Sequence, residues 1–200
     1  MKTTTTAGRK TETAPITWKQ AQTLVKALQA DSNHNTALLF ASGFYFGLRI
    51  SDILRLTWSQ ITADRFDLVE QKTGKTRSIT VHDDFKKIVR AALADMGTTL
   101  KPSAFVFTSQ RSEGNQARPI TVIAANKRIK NAFDQYGVNA QNPSSHTMRK
   151  TFGRRVFENN QQSEAALILL GQIFNHRDTS TTRRYIGLTS ERISNAYLSL

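Results

Sequence analysis

Two hundred residues fit one domain comfortably, and two only if both are small. Lys and Arg total 28 against 15 Asp and Glu, a net charge of +13 spread through folded-looking segments, which suits a polyanionic partner, nucleic acid first. The absence of cysteine excludes disulfides and thiolate metal sites, the histidines lack a tight metal-ligand spacing, and no signal peptide or membrane-length apolar run is present, so a cytoplasmic, nucleoid-associated protein is expected.

Residues 1–14 read as a flexible, weakly basic tail. Thr17 and Gln20 then form a capping-box pattern, with Trp18, Ala21, Val25 and Leu28 on one helical face. A second helix, about 34–48, is apolar nearly all round, as a buried central helix is. "SDILRLTW" follows as a short helix with Ser51 as its N-cap. The pattern next switches to period two: Phe66 and Leu68 alternate, as do Ile79 and Val81, around the turn-rich "QKTGKTR". This predicts a small hairpin with Lys72, Lys75 and Arg77 at or beside its tip. From Asp84, Phe85, Ile88, Val89, Ala92 and Met96 share a helical face and Gly97 suits the stop. Val106 and Phe107 read as extended, and "SQRSEGNQARP" as a loop. Further helices are expected at about 121–136, at 146–158, from Ser163, around Tyr185 and from about 190. The class is mainly α with a small antiparallel β-sheet (α+β).

The stretch "FNHRDTSTTRRYIG" places Tyr185 in a basic run behind His176. If such a tyrosine cuts DNA, its phenol must lose a proton held with a pKa of about 10. The phosphodiester must have its charge neutralised as it becomes pentavalent, and the departing 5′ oxygen needs a proton. Two arginines, one or two histidines and a lysine meet these needs without a metal. "SSHTMRKTF" supplies His146 and Arg149, three apart and hence on one helical face. Arg49 sits in "GLRISD" and Lys72 in the hairpin. Taken singly, each has a plainer reading: Arg49 as a capping residue satisfied by Asp52, Lys72 as a solvated lysine, His176 as a loop histidine, and Tyr185 as packing.

Together, in order, they resemble the active-site series of the tyrosine recombinase (phage integrase) family. "GLRISDILRLTW" resembles its first-arginine motif, and "EQKTGKTRSITV" its lysine hairpin. "SHTMRKTFGRRV" resembles its His-x-x-Arg helix, and "HRDTSTTRRYI" has its nine-residue step from histidine to tyrosine. The resemblance spans residues 15–200, the family's catalytic domain, and implies its fold. It implies that Tyr185 is the nucleophile forming a 3′-phosphotyrosyl link and that Arg49 and Arg149 grip the non-bridging oxygens. Lys72 would protonate the leaving oxygen, His146 assist proton transfer, and His176 hydrogen-bond the phosphate. Asp52 would orient the site from behind. Lys75, Arg77, Lys150, position 153 in the Gly-Arg-Arg step, Arg177, Arg183 and Arg184 are expected against DNA. The implied partner is double-stranded DNA carrying specific recombination sites, with no cofactor. Self-assembly into dimers or tetramers is implied through a C-terminal helix bearing Ile193, Ala196, Tyr197 and Leu200.

Three departures stand out. The histidine follows Phe174-Asn175 where the family usually has Leu-Gly; asparagine is the commonest substitute for glycine in a left-handed position. Lys150 replaces the histidine common after the second arginine. The family's usual N-terminal core-binding domain is not expected in the short stretch before residue 15, so the chain reads as a minimal recombinase or as a fragment. A catalytically inactive DNA-binding regulator and a type IB topoisomerase-like enzyme are the alternatives on the same fold. An RNA- or ribosome-binding protein would explain the charge alone.

Overall fold

The computed structural model describes residues 13–96, 101–109 and 118–199, apart from the side chains of 190–192. The expected tail up to residue 12, the stop at Gly97 and most of the loop around 109–119 lie outside the described residues.

The first helix, α1 (Trp18–Ala30), starts at the expected capping box: the Thr17 hydroxyl accepts from Gln20 N, and the Gln20 side chain accepts from Thr17 N. Helix α2 (His34–Phe46) is buried on almost every side and forms the centre of the larger core. Phe40, Phe44 and Phe46 pack there with Leu28, Phe85 and Phe133, each buried aromatic contributing roughly 2–3 kcal/mol through area removed from water. The short α3 (Ile50–Ile53) is N-capped by Arg49, not Ser51: the left-handed Gly47 stops α2, and the chain resumes helical geometry two residues earlier than the serine suggested. Thr57 and Gln60 build a second capping box for α4 (Trp58–Thr62), an element hidden in a sequence too short to show periodicity.

Strands β1 (Arg65–Val69) and β2 (Thr76–Thr80) form the expected antiparallel hairpin. Phe66 lies opposite Ile79 and Leu68 opposite Arg77. Because side chains alternate along a strand, Arg77 shares the inward face of the buried Ile79. Helix α5 (Asp83–Met96) follows as expected. Val106 and Phe107 are buried but belong to no strand; isolated bridges pair Thr57 with Phe105 and Thr108 with Pro119. Helices α6 (Val122–Gln135), α7 (Ser145–Asn159), α8 (Glu164–Phe174), α9 (Thr179–Tyr185) and α10 (Leu188–Leu198) complete the chain. A smaller core of Phe157, Leu167, Leu170, Phe174 and Ile186 joins α7, α8 and α9. On α10, Ile193, Tyr197 and Leu198 remain exposed. Among the described residues no helix is long and apolar enough to cross a membrane.

Helix α7 runs against α2, and glycines permit the approach. A Cβ on Gly43 would lie 2.6 Å from the Met148 Cβ, and one on Gly47 would lie 2.2 Å from the Phe152 ring. Gly47 also has φ 56°, where a side chain adds strain. The variant Gly47→Ala is therefore expected to lose about 2–5 kcal/mol of stability, combining left-handed strain with overpacking. Denaturant unfolding checks this, the midpoint falling with little change in slope.

Candidate active site

The site forms where the two cores meet, around the end of α8. Ser163 caps the start of this helix, and Asn175 ends it in the left-handed region at φ 58°, ψ 47°. Asparagine thus occupies the backbone conformation that glycine would, and His176 N closes the turn onto Gly171 O at 2.9 Å. The last carbonyls of a helix have no partner within it. That of Phe174 receives two: Arg49 Nη2 and Arg149 Nη2 both lie 3.5 Å from it. Arg149 also donates from Nη1 to Gly47 O, and its guanidinium lies 4.5 Å over the Phe174 ring. Arg49 donates from Nη1 to Glu70 Oε2 at 2.8 Å. The two planar forks, contributed by segments a hundred residues apart, therefore converge on one peptide oxygen. Burial pushes the Arg149 guanidinium down to about 10, which leaves it charged at neutral pH.

His146 and Arg149 occupy successive turns of α7, whose start is capped by Ser144 and Thr147. Tyr185 is the last residue of α9, which Asp178 caps by accepting from Thr181 N at 2.7 Å. The Tyr185 ring sits edge-on to Phe174 and His176, each with centroids 5.2 Å away, and Lys150 Nζ lies 5.4 Å from its centre. Its hydroxyl is 3.4 Å from His146 Nδ1. Burial raises the phenol's pKa, opposed by the nearby positive charge of Arg149 and Arg49. Desolvation of the imidazole lowers the pKa of His146, and Lys150 and Arg149 lower it further. A neutral imidazole beside a protonated phenol is a fit pair for proton transfer. His176 is lowered in the same way, by burial and then by Arg149 and Arg49. Its Nδ1 is 3.1 Å from Thr182 Oγ1, which fixes the ring.

Five of the six residues expected to form the centre thus come together: Arg49, His146, Arg149, His176 and Tyr185. Lys72 is exposed at the hairpin turn, and the hairpin touches the cluster through Glu70, which holds Arg49, and through Lys75, whose Nζ donates to Asn175 Oδ1 at 2.9 Å. Asp52 is buried, but it does not pair with Arg49; its Oδ1 accepts from Gln71 N at 2.9 Å. Arg77 points inward, donating to Phe46 O at 3.0 Å. Lys150 is buried and donates to Thr13 O. Position 153 is Gly153 and carries no charge: a Cβ there would lie 2.7 Å from Ile186 and 2.8 Å from Phe174. The arginines of that step are Arg154, paired with Glu158, and Arg155, set over the Trp18 ring. Arg183 pairs with Glu164, whereas Arg177 and Arg184 are exposed. Sequence reasoning missed Glu70 and the Phe174 carbonyl. Glu70 carried a usable signal, since Phe66, Leu68 and Glu70 alternate onto one face, the inward one.

The family model described as the phage integrase family matches residues 15–192. A probable integrase/recombinase, YoeC of Bacillus subtilis, is 30% identical over 174 residues, covering 86% of this chain and 88% of that protein. Tyrosine recombinase XerD of Caulobacter vibrioides is 27% identical over 162 residues, covering 78% of this chain and 49% of that protein. The chain spans about half the length of the XerC and XerD relatives it matches. In fold it is similar to XerA recombinase, with TM-score 0.68 and 17% identity over 93% of this chain and 64% of that one. It is also similar to a lambda integrase dimer bound to a COC′ core site, with TM-score 0.63 and 16% identity over 91% and 50%. By the span of the family match and its likeness to YoeC, the chain belongs to the phage integrase family of tyrosine recombinases.

Proposed function

We propose that this chain is the strand-transfer domain of a site-specific DNA recombinase. The observation that carries the reading is the convergence of Arg49 and Arg149 on Phe174 O beside the Tyr185 hydroxyl. Two planar donors aimed at one point suit the non-bridging oxygens of a phosphodiester. In this reading Tyr185 Oη attacks the scissile phosphorus and its proton passes to His146. The bond from phosphorus to the 5′ oxygen breaks, and the leaving oxygen takes a proton from Lys72, carried there by the exposed turn at the hairpin's tip. The products are a 3′-phosphotyrosyl link and a free 5′ hydroxyl. The link retains the phosphodiester's energy, so a second 5′ hydroxyl reverses the step and exchanges strands without ATP. The two guanidinium groups supply the charge neutralisation, and His176 adds a hydrogen bond.

The excess of 13 positive charges supports double-stranded DNA as the partner, held through its phosphates. The exposed Arg177 and Arg184, neighbours in sequence of His176 and Tyr185, are the DNA-backbone contacts this reading favours. The uncovered Ile193, Tyr197 and Leu198 of α10 suit assembly between copies on DNA, in keeping with the dimeric state of the lambda integrase complex. The test is a denaturant-resistant protein–DNA adduct on a nicked duplex. Specific binding with no adduct would instead favour a DNA-binding regulator.

A pH dependence follows from His146. Protonated imidazole cannot accept the tyrosine's proton, so cleavage falls as pH drops through the His146 pKa. Desolvation, Lys150 and Arg149 hold that pKa down, so the acid limb should lie below the ordinary histidine value of about 6.5. Single-turnover cleavage across pH measures it. The limb should vanish in His146→Asn and persist in His176→Asn, which separates the two histidines.

A further inference from the structure

We infer that Glu70 is a positioning residue for Arg49, setting the first phosphate-gripping fork and locking it to the hairpin that carries Lys72. The inference rests on the strand-transfer reading above and extends it to a residue which that reading leaves without a role.

Glu70 is only 5% exposed, at the end of β1 where the chain enters the hairpin turn. A carboxylate so buried is retained only with partners for its charge, and both its oxygens face cationic groups. Oε2 accepts from Arg49 Nη1 and from Thr73 Oγ1, each at 2.8 Å, and Oε1 lies 4.0 Å from Arg77 Nη1. The backbone is fixed as well: Glu70 N donates to Lys75 O at 3.0 Å, and Gly74 N donates to Glu70 O at 2.9 Å. The adjacent Gln71 N donates to Asp52 Oδ1. Residues 70 and 71 of the hairpin thus grip residues 49 and 52 beside them, one contact running in each direction. Lys72 follows immediately in the chain.

The charge of Glu70 has a second effect. Arg49 lies close enough to lower the proton affinity of both Arg77 and Arg149, so without an anion between them the forks repel. Glu70 lies between Arg49 and Arg77. With Nη1 held by Glu70 and Nη2 against Phe174 O, the Arg49 plane is fixed at two points, and its remaining N–H groups keep one direction. A guanidinium whose plane is free to swing loses the preorganisation on which electrostatic stabilisation depends.

The opposite role is chemically conceivable: Glu70 could occupy Arg49 as a phosphate mimic that must leave before DNA binds. The deep burial of Glu70 and its three partners argue for a fixed anchor, and the two roles predict opposite effects on rate.

The test uses the full chain and a nicked duplex selected from a randomised library by covalent capture on wild-type protein. Glu70→Ala should slow single-turnover adduct formation about 100-fold, the scale of a displaced positioning group. In an Arg49→Ala background the same change should cost no more than about threefold, because the two act as one unit. Glu70→Gln keeps the fold and an acceptor for Arg49, so it should lose no more than about tenfold, reflecting the weaker uncharged bond. A second readout needs no DNA: phenylglyoxal modification of Arg49, followed by mass spectrometry, should be faster in Glu70→Ala than in wild type. Equal cost in both backgrounds, faster cleavage by Glu70→Ala, or unchanged Arg49 reactivity would each overturn the proposal. If the wild type captures no duplex, the strand-transfer reading fails, while the reactivity of Arg49 still decides whether Glu70 holds it.

Discussion

Tyr185→Phe is expected to abolish the covalent adduct while leaving the fold and DNA affinity in place. The variant removes one oxygen and nothing else. The phenyl ring keeps its edge contacts with Phe174 and His176 and its place beneath Lys150. The hydrogen bond to His146 Nδ1 is long at 3.4 Å and solvent-exposed, so its loss should cost no more than about 1 kcal/mol. Removing a nucleophile commonly costs on the order of a millionfold in rate. The denaturant-resistant band should therefore be absent even after long incubation, with the melting curve and the binding isotherm superimposable on wild type. A residual adduct in Tyr185→Phe would mean that another side chain attacks. Loss of adduct together with loss of fold would leave the role of the hydroxyl undetermined, which is why phenylalanine and not alanine is the informative choice.

Arg149→Ala should carry the second largest effect, and it should act on both rate and stability. Deleting one donor to the charge that develops in a transition state costs about a hundredfold to a thousandfold. Arg149 is also 4% exposed and holds two backbone carbonyls, Gly47 O and Phe174 O. Stripping the donor from buried carbonyls adds a stability loss of about 1–3 kcal/mol. Arg149→Lys separates the components. It restores the charge, and with it salt-dependent DNA binding, but one ammonium cannot reproduce the fork that reaches both carbonyls and still faces a phosphate. The lysine variant should therefore bind like wild type and cleave nearly as slowly as the alanine variant. Arg49→Ala makes the useful contrast: its side chain is 22% exposed, and Phe174 O keeps Arg149 as a partner, so its rate loss should come with a smaller drop in melting temperature.

Much of this architecture was readable from pattern. The helices α1 and α5 announced themselves by apolar spacing, α1 also by its Thr17 cap, and the hairpin by alternation around a glycine turn. Asn175 was readable too, since a helix that must end in a left-handed residue admits few side chains. What sequence did not convey was direction and partnership. Arg77 looked like a basic residue at a hairpin tip, yet the register opposite Leu68 turns it inward to Phe46 O. Asp52 stood one helical turn from Arg49 and looked like its partner. The backbone turn at Gly47, however, makes Arg49 the cap of α3, from which its side chain reaches the hairpin and Glu70 instead. Such pairings depend on how the hairpin packs against α3, a long-range outcome that no local spacing encodes. The Phe174 carbonyl was invisible for a simpler reason: backbone atoms leave no letter in a sequence.

That carbonyl has an electrostatic consequence. The aligned peptides of an eleven-residue helix sum to a macrodipole whose negative pole, about half an elementary charge, lies at the helix C-terminus. In α8 that pole ends at Phe174 O, between two arginines. The left-handed residue that follows stops the chain there, so the pole faces the guanidinium pair and is not buried under another turn. Two like charges are thus held together by a counter-ion that is part of the backbone. It cannot be titrated and cannot swing out into solvent, and it sets less negative charge against an incoming phosphate than a carboxylate at the same place would.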